Sequence, residues 1–375
     1  FDDIEKFGIW PETFEWVYEK GWLRRFIEAA LASKRIEVQT YRDFHARQRT
    51  RGVAYLPTTS YIEMNEWTLP APAAEAYRQL VETSRQAGRF ETEKPFLRGG
   101  IWPNFLSRYP ESNWMHKRML ALSARLAACP ESAGSADLRG LLYAAQANDA
   151  YWHGLFGGVY LPHLRRGVWS SLIALERALD RLQPRAASSC VDLDHDGVDE
   201  LFLRSGELQA VIKLDGRAAV CELDAYALAQ NFGDTLRRHA EHYHGRVMKT
   251  QDVQPGGGGI ASAHERERLK HPIEASELAP DAEPQYLLRD TWRAADGAAQ
   301  VIDCYVPGNT APDAAQVSFS AALGELRLEK TIAVEGNALS ARYRLALSGK
   351  GELRTVLSLA MPSCDGYGGR YMHLG

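Results

Sequence analysis

Three groups of side chains in this sequence have types and spacings that could do chemistry. The first opens the chain, Phe1-Asp2-Asp3-Ile4-Glu5-Lys6-Phe7-Gly8-Ile9-Trp10-Pro11, where paired acids, a third carboxylate and an indole crowd together. Adjacent carboxylates repel, which raises the pKa of one of them. A proline then stands where a helix would open, so the stretch reads as the rim of a strand-to-helix loop, the place where α/β barrels carry their chemistry.

The second group is Gln146, Asp149, Trp152 and His153. Leu138, Leu142, Ala145, Asp149, Trp152 and Phe156 step by three or four, which predicts a helix from Asp137 to Phe156 with Asp149 on its buried stripe. A carboxylate there needs a partner, and Gln146 and His153 lie about one turn to either side. On the residues alone this is either a satisfied structural pair or a site in which acid, amide, imidazole and indole converge. The third group, Asp192-x-Asp194-x-Asp196-Gly197-x-Asp199-Glu200, has oxygen donors at calcium-loop spacing and a glycine at the sixth place. Leu203 occupies the twelfth place, so this is no complete EF-hand. It is either a short Ca²⁺ loop held by Asp192, Asp194 and Asp196 or a hairpin approach built from Asx turns without an ion. Of His239, His242 and His244, the first two would share one face of a helix, and no cysteine or carboxylate joins them on that face, which argues against zinc.

Stepping outward, helices are expected at Glu12–Lys20 and Leu23–Ser33, then strands at 36–40 and 53–56, the order of the closing part of a parallel β/α barrel. Further helices carry Tyr77, Leu80, Val81 and Ser84, then Met115, Met119, Leu122 and Leu126, then Leu164, Val168, Leu172, Leu175 and Leu179 behind Pro162. Residues 96–113, with Pro103 and Pro110, read as an irregular connection in which Trp102, Phe105 and Tyr109 pack. Beyond a linker at 183–189 the period changes from helical to two, with a hairpin turn at Asp215-Gly216, and regularly spaced strands to 359 indicate a β-sandwich.

The opening stretch resembles the fourth signature region of glycoside hydrolase family 57; only Phe1 and Ile4 depart from the pattern. Asn148-Asp149-Ala150-Tyr151-Trp152-His153-Gly154 resembles the fifth. Tyr61-Ile62-Glu63-Met64-x-Glu66-Trp67-x-Leu69-Pro70 and Tyr109-Pro110-Glu111-Ser112-Asn113 are similar to the 4-α-glucanotransferase branch. The resemblance implies the C-terminal part of a (β/α)7 barrel at 1–60, an α-helical domain at 61–183 and a β-sandwich, incomplete at its end, at 190–375. It implies a retaining enzyme acting on α-1,4-glucans and maltooligosaccharides without an organic cofactor, an α-amylase-type hydrolase being the near alternative and a non-catalytic glucan-binding protein the distant one. Asp3 is then the general acid/base, with Asp2 beside it to raise its pKa. Trp10 and Trp152 are sugar platforms, and Asp149 and His153 contact substrate hydroxyls. Retention needs a second carboxyl roughly 5–5.5 Å from the first; the family's nucleophile is a glutamate on an earlier barrel strand, so this sequence reads as a piece of a longer protein.

Bulk properties agree with such a reading. A chain of 375 residues suits two or three domains. A net charge of −4 with scattered Lys and Arg argues against nucleic acid. No apolar run is long enough to cross a bilayer. Five cysteines spread without C-x-x-C spacing fit a reducing, cytoplasmic compartment. A homodimer is the assembly to test for.

Overall fold

The computed structural model describes residues 12–55, 60, 62–130, 135–153, 157–245, 273–295 and 297–360. The chain parts into two compact units. One comprises 1–66, 70–102 and 240–278; the other comprises 67–69, 103–239 and 279–375.

The first unit is helical. A π-helical turn, Glu15–Glu19, precedes α1 (Trp22–Ala32) and α2 (Tyr41–Arg47), and Thr40 caps α2 by accepting from the Asp43 N–H at 3.1 Å. The strands expected at 36–40 and 53–56 are not formed among the described residues. Ile36, Val38 and Val53 stand exposed and no ladder reaches them. Alternation alone makes a strand only where a neighbouring chain supplies hydrogen-bond partners. Helices α3 (Ile62–Trp67), α4 (Ala71–Gln86) and α5 (Phe90–Glu93) follow. In α4 the buried stripe is Ala74, Tyr77, Val81 and Ser84, and Leu80 falls just off it, exposed.

The second unit joins helices to sheets. The expected irregular connection at 96–113 is largely helical: α6 (Trp102–Arg108) and α7 (Pro110–Ala128) follow each other closely. Proline within the first turn loses no hydrogen bond, so Pro103 and Pro110 open these helices rather than break the chain. Helix α8 (Ser135–Ala145) stops far short of Phe156. The buried Tyr151 hydroxyl donates to the Ala145 carbonyl at 2.5 Å, taking the acceptor that a continuing helix would use. Helix α9 (Pro162–Leu182) runs as its spacing predicts, burying Val168, Leu172, Leu175 and Leu179.

Twelve strands form three antiparallel sheets among the described residues. One sheet orders β1 (Ser188–Val191), β2 (Glu200–Ser205), β3 (Leu208–Lys213), β4 (Ala219–Ala225) and β5 (Gln230–Asn231) consecutively. A second pairs β8 (Val306–Pro307), β9 (Gln316–Leu323), β10 (Leu326–Glu335) and β11 (Ala338–Ala346). The third places β6 (Arg289–Ala294) between β7 (Gln300–Val301) and β12 (Gly351–Val356). Leu203 and Ile212 from the first sheet share one core with Trp292, Phe319, Leu328 and Ile332 from the others, so the sheets face each other across apolar side chains. Inside that core Asp290 accepts from Lys330 at 2.8 Å, Tyr305 at 2.9 Å, Tyr343 at 3.0 Å and Thr355 at 2.7 Å, which satisfies a charge otherwise too costly to bury.

Arg118 on α7 reaches Glu176 on α9 at 2.7 Å and Glu222 on β4 at 3.0 Å, all three fully buried, so helices and first sheet share charged contacts as well as apolar ones.

Candidate functional site

The segment after α8 positions the candidate side chains. Asn148–Ala150 forms a 3₁₀ turn, and Val159 donates back to the Trp152 carbonyl at 3.0 Å. Gly158 makes that closure feasible: its φ is 44°, and a Cβ there would lie 1.8 Å from the Trp152 carbonyl oxygen. The glycine pair therefore closes a loop instead of ending a helix. Asp149 is consequently exposed, contrary to the buried stripe the helical spacing predicts, and Gln146, also exposed, turns to the Met119 sulfur.

His153 goes inward. Only 3% exposed, it shares a 2.8 Å hydrogen bond with the Tyr109 hydroxyl. Tyr109 stacks on Phe105 one turn earlier, centroids 4.4 Å apart, and meets the His239 ring edge-on at 4.8 Å. His239 in turn lies 3.3 Å from the Glu111 carboxylate. Burial by itself would raise the Glu111 pKa, but His239 and, more weakly, Arg237 hold it below the ordinary value. Trp152 is half-buried and tilted against half-buried Trp67 at 5.1 Å. Trp67 also contacts the His153 ring at 5.5 Å, and Arg108 donates to the Trp67 carbonyl at 2.8 Å, fixing that indole's backbone. Ser112 donates to the Tyr151 carbonyl, which ties the loop to the start of α7.

The acid–amide–imidazole–indole convergence is thus only partly realised. Trp152 and His153 belong to one aromatic cluster with Trp67, Phe105, Tyr109, Tyr160 and His239, while Asp149 and Gln146 face solvent. Asp3 and Trp10 lie outside the described residues. Trp67, Tyr109 and Glu111 are the members that helical periodicity did not single out, although each sits in a motif already quoted, and aromatic crowding around Tyr109-Pro110-Glu111 was the available signal.

The aspartate loop has a cation of its own. Oxygens of Asp192, Asp194 and Glu200 come within 4.8 Å of one another, yet the Lys213 ammonium lies 2.8 Å from Asp194, 2.6 Å from Asp196 and 3.0 Å from Glu200. Asp192 is taken up by the N–H groups of Asp196 and Gly197, and Glu200 also accepts from Leu193. Burial raises the Glu200 pKa to about 6, whereas burial acting alone on Lys213 is outweighed by its bonds to Asp194 and Asp196, which raise it. Calcium takes six to eight oxygens, and among the described residues these carboxylates already pair with Lys213 or with backbone donors, so an ion here would have to displace the lysine. Replacing Lys213 by Gln is expected to free them: Ca²⁺ at about 1 mM should raise the melting temperature of the variant and leave the unmodified protein unchanged. An equal response in both proteins would mean that ion and lysine do not compete. His239 and His242 partner Glu111 and Glu66, the latter at 2.6 Å, and the four described cysteines are free thiols.

Comparison with known proteins supplies the context. Residues 1–57 match Glycosyl hydrolase family 57, residues 100–179 match the middle domain of alpha-amylase/4-alpha-glucanotransferase, and residues 192–374 match the C-terminal domain of the same group. A 4-alpha-glucanotransferase of Thermococcus kodakarensis is 43% identical over 289 residues, covering 77% of this chain and 42% of that protein. An alpha-amylase of Pyrococcus abyssi is 42% identical over 296 residues, covering 79% and 43%. The crystal structure of 4-alpha-glucanotransferase from Thermococcus litoralis aligns with a TM-score of 0.66 at 34% identity, covering 92% of this chain and 52% of that one. These matches, with the mixed helical and antiparallel architecture, define a multidomain protein of the glycoside hydrolase class. Within that class the similarity is to glycoside hydrolase family 57, whose model matches residues 1–57. It spans under half the length of the curated relatives it matches, and no described helix is long and apolar enough to cross a membrane.

Proposed function

We propose that this chain is the later portion of a retaining α-1,4-glucan-acting enzyme, a 4-α-glucanotransferase that passes maltooligosaccharide units between glucan chains. Its domains in this reading are the end of a (β/α)7 barrel at 1–60, a helical domain at 61–183 and a β-sandwich at 190–375. The observation that carries the reading is the Trp67–Trp152 pair, half-exposed and braced from behind by the buried His153–Tyr109 hydrogen bond, with the Asp149 carboxylate free at the end of the same loop. An indole face offers an apolar platform for the C–H face of a glucose ring, and a nearby carboxylate accepts hydroxyl protons.

Each residue then has a distinct task. Trp152 and Trp10 stack on sugar rings, Asp149 accepts from a hydroxyl, and His153 positions the loop through Tyr109. Asp3 protonates the departing glycosidic oxygen and later deprotonates the incoming acceptor, while a glutamate outside this sequence forms the glucosyl ester. Transfer prevails when an acceptor sugar outcompetes water for that ester. Relatives named as transferases and as amylases lie at nearly equal identity, so the product pattern has to decide. The full-length protein incubated with maltotriose is expected to give a ladder of shorter and longer maltooligosaccharides, read by chromatography. Shorter products alone would mean hydrolysis, and no turnover of any α-1,4-glucan would remove the assignment.

A further inference from the structure

A groove of about 490 Å³, well within the range of small-ligand sites, lies on the sheet-bearing unit at the start of α9, and neither Trp67 nor Trp152 lines it. Its walls are tied down. The Ala360 N–H donates to the Phe232 carbonyl at 2.8 Å, Thr235 donates to the Gln285 carbonyl, and Arg165 donates to Asp234 at 3.0 Å and to the Val159 carbonyl. Four guanidinium groups line it, but three already face carboxylates: Arg165 with Asp234, Arg237 with Glu111 at 3.7 Å, and Arg238 with Asp281 at 2.7 Å. Arg166 is the exception. Half-buried, it feels the Asp234 charge yet donates no hydrogen bond among the described residues.

The balance of these charges selects the ligand. A polyanion would find one unspent guanidinium and would have to lie against the Asp234 carboxylate in the wall, where like charge opposes it. A neutral polyhydroxyl chain meets what it needs: free donors on Arg166, the amides of Gln230 and Gln285, carboxylate oxygens that accept, and apolar faces on Tyr160, Pro162 and Leu359. Tyr160 also touches the His153 ring, centroids 5.6 Å apart, so the groove borders the aromatic cluster without sharing Trp152. We infer that this groove is a second α-glucan-binding site, which holds a stretch of polysaccharide remote from the reacting bond. The inference rests on the glucan reading above and adds a site to it.

The test uses the full-length protein and three variants in native gels cast with amylopectin. Arg166→Ala and Gln285→Ala are expected to weaken retention in the gel by about fivefold each, the effect of losing one or two hydrogen bonds, while maltotriose turnover stays at the unmodified rate. Trp152→Ala is expected to do the reverse, cutting maltotriose turnover and leaving most of the retention. Melting curves of the variants check that each is folded. If both groove variants are retained like the unmodified protein while Trp152→Ala abolishes retention, the groove assignment falls and the glucan reading stands. If inorganic phosphate raises the melting temperature in an Arg166-dependent way and maltoheptaose does not, the groove is an anion site and the inference is overturned. If the unmodified protein neither binds amylopectin nor turns over maltotriose, both readings fall together.

Discussion

Asp3→Asn in the full-length protein is expected to lower maltooligosaccharide disproportionation by about 10²–10⁴-fold, the range for loss of a general acid/base, with the melting temperature unchanged. Asparagine keeps the size of the side chain and its capacity to accept hydrogen bonds, but it carries no proton to give. In the proposed double displacement the same carboxyl acts twice, as acid when the first glycosidic bond breaks and as base when the acceptor attacks. The loss should therefore fall on kcat rather than on KM. A substrate with an activated aryl leaving group needs little protonation, so its first step should be largely spared in the variant and a burst of the phenol should precede slow turnover. Unchanged turnover of maltotriose would take Asp3 out of the mechanism. Slow turnover without the burst would mean that the first step is lost as well.

Arg118→Met is expected to cost about 3–5 kcal/mol, because it leaves buried Glu222 and Asp224 without their cation, while Glu176 keeps Arg185 at 2.9 Å. Arg118 is 2% exposed and faces Glu176, Glu222 and Asp224, with Gln209 and Trp114 donating to the same acids. Such a loss corresponds to a fall in melting temperature of about 6–10 °C; a change within about 2 °C would show that the arginine is not what stabilises the cluster. The pH dependence has a definite sign. Burial would raise Glu176, but Arg118 and Arg185 bring it well below the ordinary glutamate value, so its contribution is complete above that ordinary value and is lost as pH falls toward the depressed one. Asp224 behaves oppositely. Burial and the neighbouring Glu222 carboxylate push it up, so it costs stability as pH rises from the ordinary aspartate range toward its raised value. Removing Arg118 should accordingly shift the acid-unfolding midpoint upward in pH.

Where neighbours in sequence decide the conformation, reading the sequence succeeded. The α9 stripe from Val168 to Leu179 is buried as its spacing predicts, and the period-two runs read at 200–203, 208–214 and 326–334 form the strands Glu200–Ser205, Leu208–Lys213 and Leu326–Glu335 of antiparallel sheets. It failed where a side-chain hydrogen bond broke the local pattern or where the pattern found no pairing partner among the described residues. Helical spacing across 137–156 was satisfied, yet the Tyr151 hydroxyl captures the Ala145 carbonyl and the chain turns out of the helix, which puts Asp149 in solvent. The alternation at 36–40 marks no strand, because no described residue pairs with it.

The order of residue types by itself pointed to the family, through two short signatures, and it located the α9 helix and the strands of the sheets. Only the tertiary structure decided that Lys213 is the cation of the aspartate loop, that Tyr109, Glu111 and His239 stand behind His153, and that Arg166 is left with donors to spare. Lys213 ends β3 whereas the loop it neutralises joins β1 to β2, and Glu111 and His239 lie far apart in sequence. Pairing of that kind is set by how the elements pack, since a charge or imidazole enters the interior only where the fold supplies its partner, and no local spacing records where that partner will be.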